Sequence, residues 1–209
     1  CETPVSAFLK LRDGGPAFLL ESAEEGQRLG RHSIIGIRPQ AIIRCADGRL
    51  PHRHADGEVT TLDATDPFGA VDDIVAGVGM APSPDGLVFA GGAVGYFGYD
   101  LVRSVERLPD VPADDRGIAD MVMMITGPVV IFDHLRRSVT VAVPCALDSD
   151  DLESAYATAV AEVNAITQTL AGPVPEPPTR AEPVHVGDVV SNTTQHAFEA
   201  AVERVREYV

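Results

Sequence analysis

Glu21 and Ser22 stand directly behind a run of three apolar residues, Phe18, Leu19 and Leu20. Arg31, His32 and Ser33 stand directly before a second apolar run that contains Ile34, Ile35 and Ile37. A continuous apolar run that stops in a carboxylate and a hydroxyl is the end of a buried strand. Residues 23–30 are charged and punctuated by Gly26 and Gly30, as a turn or loop would be. If the two strands pair, one carboxylate, two hydroxyls and one or two basic groups collect at the rim of an apolar sheet. Such a rim suits a zwitterion. An ammonium group needs a carboxylate or carbonyl acceptor, and a ligand carboxylate needs hydroxyl, N–H or cationic donors. An apolar side chain needs the hydrophobic wall behind them. The plainer reading of the same residues is a hairpin with a polar tip.

Other constellations are less suited to chemistry. Gly92, Gly95 and Gly98 recur every third residue and do not make the Gly-x-Gly-x-x-Gly of a phosphate cradle. Glycines so placed in a strand let another backbone or a bulky side chain approach closely. Tyr96, Tyr99 and Asp100 could hydrogen-bond across that gap, or cap the end of a sheet. His52, His54, Asp56 and Glu58 alternate, so one continuous strand would put them on one face as a metal site or as an exposed polar hairpin. The acids Asp72, Asp73, Asp110, Asp114 and Asp115 read as solvated surface. A Gly-x-Ser-x-Gly nucleophile elbow and a Walker loop are both missing from the sequence.

The elements that must position these groups follow from pattern. Thr3 and Pro4 open a helix whose apolar residues are Val5, Phe8, Leu9 and Leu11, and residues 13–16 end it. After the two strands of the rim, residues 41–45 continue as a strand, 46–48 turn, and a polar return strand over 49–61 lies at an edge. Asp66 and Pro67 start a second helix through Val71, Ile74, Val75 and Val78. Residues 81–86 are a loop, 87–97 a central strand, and 100–108 a helix with Leu101, Val102, Val105 and Leu108 on one side. Residues 109–115 are an acidic loop. Residues 121–125, 129–132 and 139–143 read as three antiparallel strands, with a basic turn over 133–137. The longest helix spans 149–170, with Leu152, Tyr156, Val160, Val163, Ile166 and Leu170 at helical spacing and Gly172 as its stop. A proline-rich linker fills 173–183, a further strand is expected over 184–191, and Thr193 or Thr194 caps a last helix carrying Phe198, Ala201, Val202 and Val205. That helix reaches Val209 without a stop signal, so the sequence reads as cut there. The fold class is α+β: mostly antiparallel sheet, curved or in two layers, with helices packed outside.

The 209 residues suffice for one large or two small domains, and 45% apolar content supports a sizeable core. A formal net charge of −15 argues against nucleic acid and anionic membrane as partners, since both need a basic face. Cys1, Cys45 and Cys145 are odd in number and far apart, which fits no disulfide framework or metal spacing and suits a reducing cytoplasm. No signal peptide is visible. The longest apolar stretch, 121–132, is interrupted by Thr126, Gly127 and Pro128 and is too short to span a bilayer.

Leu19-Leu20-Glu21-Ser22, followed by Gly30-Arg31-His32-Ser33-Ile34-Ile35-Gly36, resembles the amino-terminal region of the large subunit of anthranilate synthase, a chorismate-utilising enzyme. A second block agrees: Gly91-Gly92-Ala93-Val94-Gly95-Tyr96-Phe97-Gly98-Tyr99-Asp100, then Glu106-Arg107-Leu108-Pro109. The resemblance runs from about Thr3 to the last residue. His32 is a departure, since many relatives carry an aromatic such as Tyr there. The Gly-rich block is shared with a sister family, the aminodeoxychorismate synthase large subunit of folate synthesis.

The resemblance implies an amino-terminal regulatory domain over residues 1–172, the linker, and the start of the chorismate-binding catalytic domain over 184–209. The complete enzyme would convert chorismate to anthranilate and pyruvate, with ammonia from glutamine supplied by a separate amidotransferase subunit. Mg²⁺ would hold the carboxylate of chorismate. Its ligands and the acid–base groups would lie in the carboxy-terminal domain, so no catalytic or metal-binding residue is assigned here and the chain alone should be inactive. Leu20, Glu21 and Ser22 would form one wall of the pocket for the feedback inhibitor tryptophan. Arg31 and His32 are further candidates from the neighbouring strand. A rival of another class is a free-standing amino-acid-sensing module without catalysis.

Overall fold

The computed structural model describes residues 2–22, 30–46, 48–78, 87–111, 113–145, 147, 151–175, 187 and 190–208. The chain divides into two compact units, Cys1–Pro175 and Glu176–Val209. In the first, helix α1 (Pro4–Leu11) begins as the sequence predicts. The Thr3 hydroxyl accepts from the Ser6 N–H, and the Ser6 hydroxyl accepts from the Thr3 N–H, so two of the orphan donors at the helix start are satisfied. Its buried residues are Ala7 and Leu11, while Val5 is exposed.

Among the described residues, nine strands form two antiparallel sheets. The first sheet has the order β1-β2-β8-β9, from β1 (Ala17–Leu20), β2 (His32–Ile37), β8 (Val129–Asp133) and β9 (Ser138–Ala142). The second has the order β5-β4-β3-β7-β6, from β3 (Ala41–Cys45), β4 (Leu50–His54), β5 (Val59–Leu62), β6 (Ala93–Phe97) and β7 (Met121–Ile125). The three strands expected over 121–143 are therefore split, since β7 belongs to one sheet and β8 to the other. Residues 126–128 carry the chain across, beside residues 38–40, which take β2 into β3. The two crossings are stitched together by Ile37 N–H to the Pro128 carbonyl (3.1 Å) and Gln40 N–H to the Ile125 carbonyl (2.9 Å). One long bent ladder thus runs through both sheets. Gly127 is required at this corner, because a Cβ there would lie 2.1 Å from the Arg38 carbonyl oxygen.

Each sheet buries one face against helices. Ile35 and Ile37 of β2, with Val130 and Phe132 of β8, pack against Ala7 and Leu11 of α1 and Ile166 of α3 (Leu152–Ala171). Ile43, Met121, Met123 and Ile125 pack against Val71 of α2 (Pro67–Val78) and Leu101 of a 3₁₀ helix (Tyr99–Ser104). Lys10 ties α1 to α3 by donating to the Leu170 carbonyl at 2.7 Å, which satisfies a C-terminal carbonyl of the longer helix.

Four expectations change. The polar return strand over 49–61 is two strands, β4 and β5, because the chain turns at 55–57 with Gly57 at φ 92°. The strand expected over 87–97 is the five-residue β6 at a sheet edge. Gly91 and Gly92 take φ of 156° and 141° just before it, and Gly92 is tied to Thr126 by bonds in both directions. The helix expected over 100–108 is the short 3₁₀ turn, with Leu101 alone fully buried and Val105 and Leu108 exposed. Only Ile166 of the long helical stripe is fully buried, and Leu152 and Tyr156 stay exposed. Expected features over 23–29, 79–86, 149–150, 176–186 and 188–189, with Asp47 of the first turn and Pro112 of the acidic loop, lie outside the described residues. In the second unit, α4 (Gln195–Arg206) is capped by Thr194, whose hydroxyl accepts from the Ala197 N–H, and none of its residues is buried.

Candidate functional site

β1 and β2 pair as the sequence predicts, with Leu20 opposite Ile34 and Phe18 opposite Gly36. The pleat sorts their side chains. Ala17 and Leu19 join Ile35 and Ile37 in the core beneath α1 and α3. Phe18 takes the other face, where its ring fills the space above Gly36: a Cβ on Gly36 would sit 2.1 Å from the ring. Leu20, also on that face, is 47% exposed, and Glu21 and Ser22 are exposed beyond it. An apolar side chain, a carboxylate and a hydroxyl therefore follow one another at the open end of a strand that is firmly held at its other end.

The second strand supplies its groups differently from the expectation. Ser33 is the residue that reaches Glu21, donating to Oε1 at 3.3 Å from a position only 2% exposed. Ser33 Oγ also lies 2.8 Å from Nε2 of His134. Arg31 and His32 turn to Asp133 instead. Arg31 donates from Nε (3.2 Å to each oxygen) and from Nη2 (2.6 Å), and His32 Nε2 lies 3.5 Å from Oδ2. The Asp133 carboxylate also accepts from the N–H groups of Leu135 (3.1 Å) and Arg136 (2.9 Å) in the β8–β9 turn. The Arg31 guanidinium, and then the Arg136 N–H, hold its carboxyl far below the usual carboxylate range. Asp133 is thus the anchor that ties the entry of β2 to the basic turn over 134–137.

Asp133 and His134 are absent from the sequence-based candidates. Residue 133 lies 101 positions from residue 32, and nothing in local spacing joins them. The only signal is register: once β2 and β8 are paired, Asp133 falls opposite His32 and Phe132 opposite Ser33. The other constellations resolve as packing. Gly95 and Gly98 admit the backbone of the next strand, since a Cβ would meet the Val122 carbonyl oxygen at 1.9 Å and that of Asp120 at 2.8 Å. The Tyr96 hydroxyl donates to the Ala119 carbonyl at 3.0 Å, while Tyr99 is exposed. His52 and His54 share a face with ring centroids 4.1 Å apart, but Asp56 lies in the turn that follows. Among the described residues no group of three or more His, Cys, Asp or Glu is placed to hold a metal ion. No described helix is long and apolar enough to cross a membrane.

The family model for chorismate binding enzyme matches residues 15–209. The chain belongs to that family. Anthranilate synthase component 1 of Acinetobacter calcoaceticus is 36% identical over 213 residues, covering 100% of this chain and 42% of that protein. The protein of the same name from Thermus thermophilus is 40% identical over 144 residues, 68% of this chain and 30% of its own length. The crystal structure of anthranilate synthase component I from Streptococcus pneumoniae superposes with a TM-score of 0.61 at 25% identity, over 99% of this chain and 43% of that one. The α+β fold of antiparallel sheets with helices outside is therefore shared with that structure. The chain spans about two fifths of the length of these full-coverage relatives. The Leu19–Ser22 run at the end of β1 and the Gly-rich block that carries β6 both lie within the residues that the family model matches.

Proposed function

We propose that this chain is the amino-terminal, effector-binding part of an anthranilate synthase component I, and that Leu20, Glu21 and Ser22 form one wall of a tryptophan site. The observation that carries the reading is the exposed Leu20-Glu21-Ser22 sequence at the open end of β1, in a chain matched along its whole length by relatives of that name. The hydroxyl of Ser22 is suited to a ligand carboxylate or amine, and Leu20 to its apolar side chain. Among the described residues, Ser33 is the only partner of the Glu21 carboxylate, and it occupies Oε1. The other oxygen is left to accept from an ammonium group.

The reaction of the complete protein would be chorismate with ammonia to anthranilate and pyruvate, in the cytoplasm, with a glutamine amidotransferase subunit as the ammonia source. Mg²⁺, when bound by the remaining polypeptide, supplies Lewis-acid polarisation of the chorismate carboxylate. The described residues here offer it no ligand set, so no step of the chemistry is routed through this chain. Its contribution is regulatory. A ligand inhibits at a distance only if it prefers one of two conformations, and a site walled on one side by β1 and on the other by the catalytic domain provides that preference.

The test is steady-state anthranilate formation by the full-length protein with chorismate, ammonium and Mg²⁺, with and without tryptophan. Loss of one buried hydrogen bond costs about 1–3 kcal/mol. Ser22→Ala should therefore raise the inhibition constant roughly 5- to 150-fold, and Ser22→Phe should raise it further by filling the site. An unchanged constant in both variants removes Ser22 from the site. Formation of 4-amino-4-deoxychorismate in place of anthranilate would assign the protein to the folate branch. The 209-residue chain alone should form no product.

A further inference from the structure

We propose that Ser33 and His134 are positioning residues for Glu21: a two-step hydrogen-bond relay from the β8–β9 turn holds the carboxylate at the lip of the effector site. The inference rests on the effector-site reading above and deepens it. Ser33 carries a single hydroxyl proton and has two polar neighbours, Glu21 Oε1 at 3.3 Å and His134 Nε2 at 2.8 Å. An ionised carboxylate only accepts. If the hydroxyl proton went to His134, the Ser33 oxygen and Glu21 Oε1 would face each other as two bare acceptors. The proton therefore goes to Glu21, and His134 must carry its own proton on Nε2 and donate it to Ser33. The relay runs one way, from Nε2–H through Oγ–H to Oε1.

The scaffold around the relay is firm at both ends. Ser33 is buried opposite Phe132 in the β2–β8 ladder. The His134 N–H donates to the Arg31 carbonyl at 2.9 Å, and its ring lies over Phe132 with 25° between the planes. Glu21 is different. It lies beyond the last paired residue of β1, and Ser33 is its only partner among the described residues. Without the relay the carboxylate has several rotamers to sample, and ordering one of them on binding costs affinity.

The experiment is a double-mutant cycle read as the tryptophan inhibition constant of the full-length protein. Ser33→Ala and His134→Leu are each measured with Glu21 present and in a Glu21→Ala background, which removes the acceptor. The expected result is a rise of about fivefold for each variant with Glu21 present. In the Glu21→Ala background, where Ser33 has no acceptor to hold, neither should change the constant further. His134→Gln, whose amide N–H can replace Nε2–H, should stay within about twofold of the unmodified protein. Equal rises in both backgrounds would show that the residues act only by holding the fold, and the proposal would fall. So would the absence of any rise. His134 is exposed, so its variants keep the test open if Ser33→Ala does not fold. A full-length protein that tryptophan does not inhibit at all overturns the effector-site reading and this inference with it. An inhibited protein whose constant responds to Glu21→Ala but ignores Ser33→Ala and His134→Leu overturns this inference alone.

Discussion

Gly36→Ala gives the sharpest check on how β1 and β2 are built. The backbone at Gly36 is not in the left-handed region, so alanine is conformationally acceptable there. The obstacle is steric. The new methyl would sit 2.1 Å from Cε1 and 2.3 Å from Cζ of Phe18, about 1.4 Å short of a carbon–carbon contact of roughly 3.5 Å. The ring lines a small pocket together with Pro16, Pro39 and Met124 at the corner. Overpacking of this kind costs about 1–3 kcal/mol, which lowers Tm by roughly 2–12 °C for a unit of this size. The same substitution in a Phe18→Ala background should reverse sign. With the ring gone, replacing a strand glycine stabilises by about 0.4–1 kcal/mol through the unfolded chain. Urea or thermal unfolding of the four proteins measures the cycle. A Gly36→Ala penalty of equal size with and without the ring would refute the close approach of Phe18 to β2.

Two further perturbations test the layers and their charge. Ile166→Ala should destabilise by about 2–5 kcal/mol in urea unfolding, because Ile166 is the one fully buried side chain with which α3 grips the first sheet; Leu152→Ala, near the exposed start of the same helix, should cost far less. Burial, and then the nearby His54, hold His52 below its ordinary pKa of 6.5. The unfolded chain therefore binds the proton more readily, so the contribution of His52 is fully present above about pH 6.5 and is lost as pH falls through the depressed folded value. A His52→Phe variant, which has no proton to bind, should show a flatter fall of Tm between pH 7 and pH 5.

Local patterns carried much of this fold. The Thr3-Pro4 and Asp66-Pro67 helix starts and the apolar runs of β1, β2, β3, β7, β8 and β9 are short-range signals, and each element lies where its pattern puts it. The misread strands share a cause. β6 starts late and β4 breaks from β5 where the backbone takes positive φ at Gly91 and Gly92 and at Gly57, which an apolar or polar pattern does not show. Half of the lip was equally legible, since Leu20, Glu21 and Ser22 are neighbours in the chain. The other half, Ser33 with His134 and Arg31 with Asp133, depends on β2 lying beside β8.

The residue sequence alone determined which groups stand at the end of β1 and which family's pattern they match, because identity and spacing along a strand are one-dimensional facts. The tertiary structure decided which of them work together. A pleat sends successive side chains to opposite faces, and only the register between two strands 101 residues apart settles whether Arg31 and His32, at the entry of β2, meet the Glu21 carboxylate or Asp133.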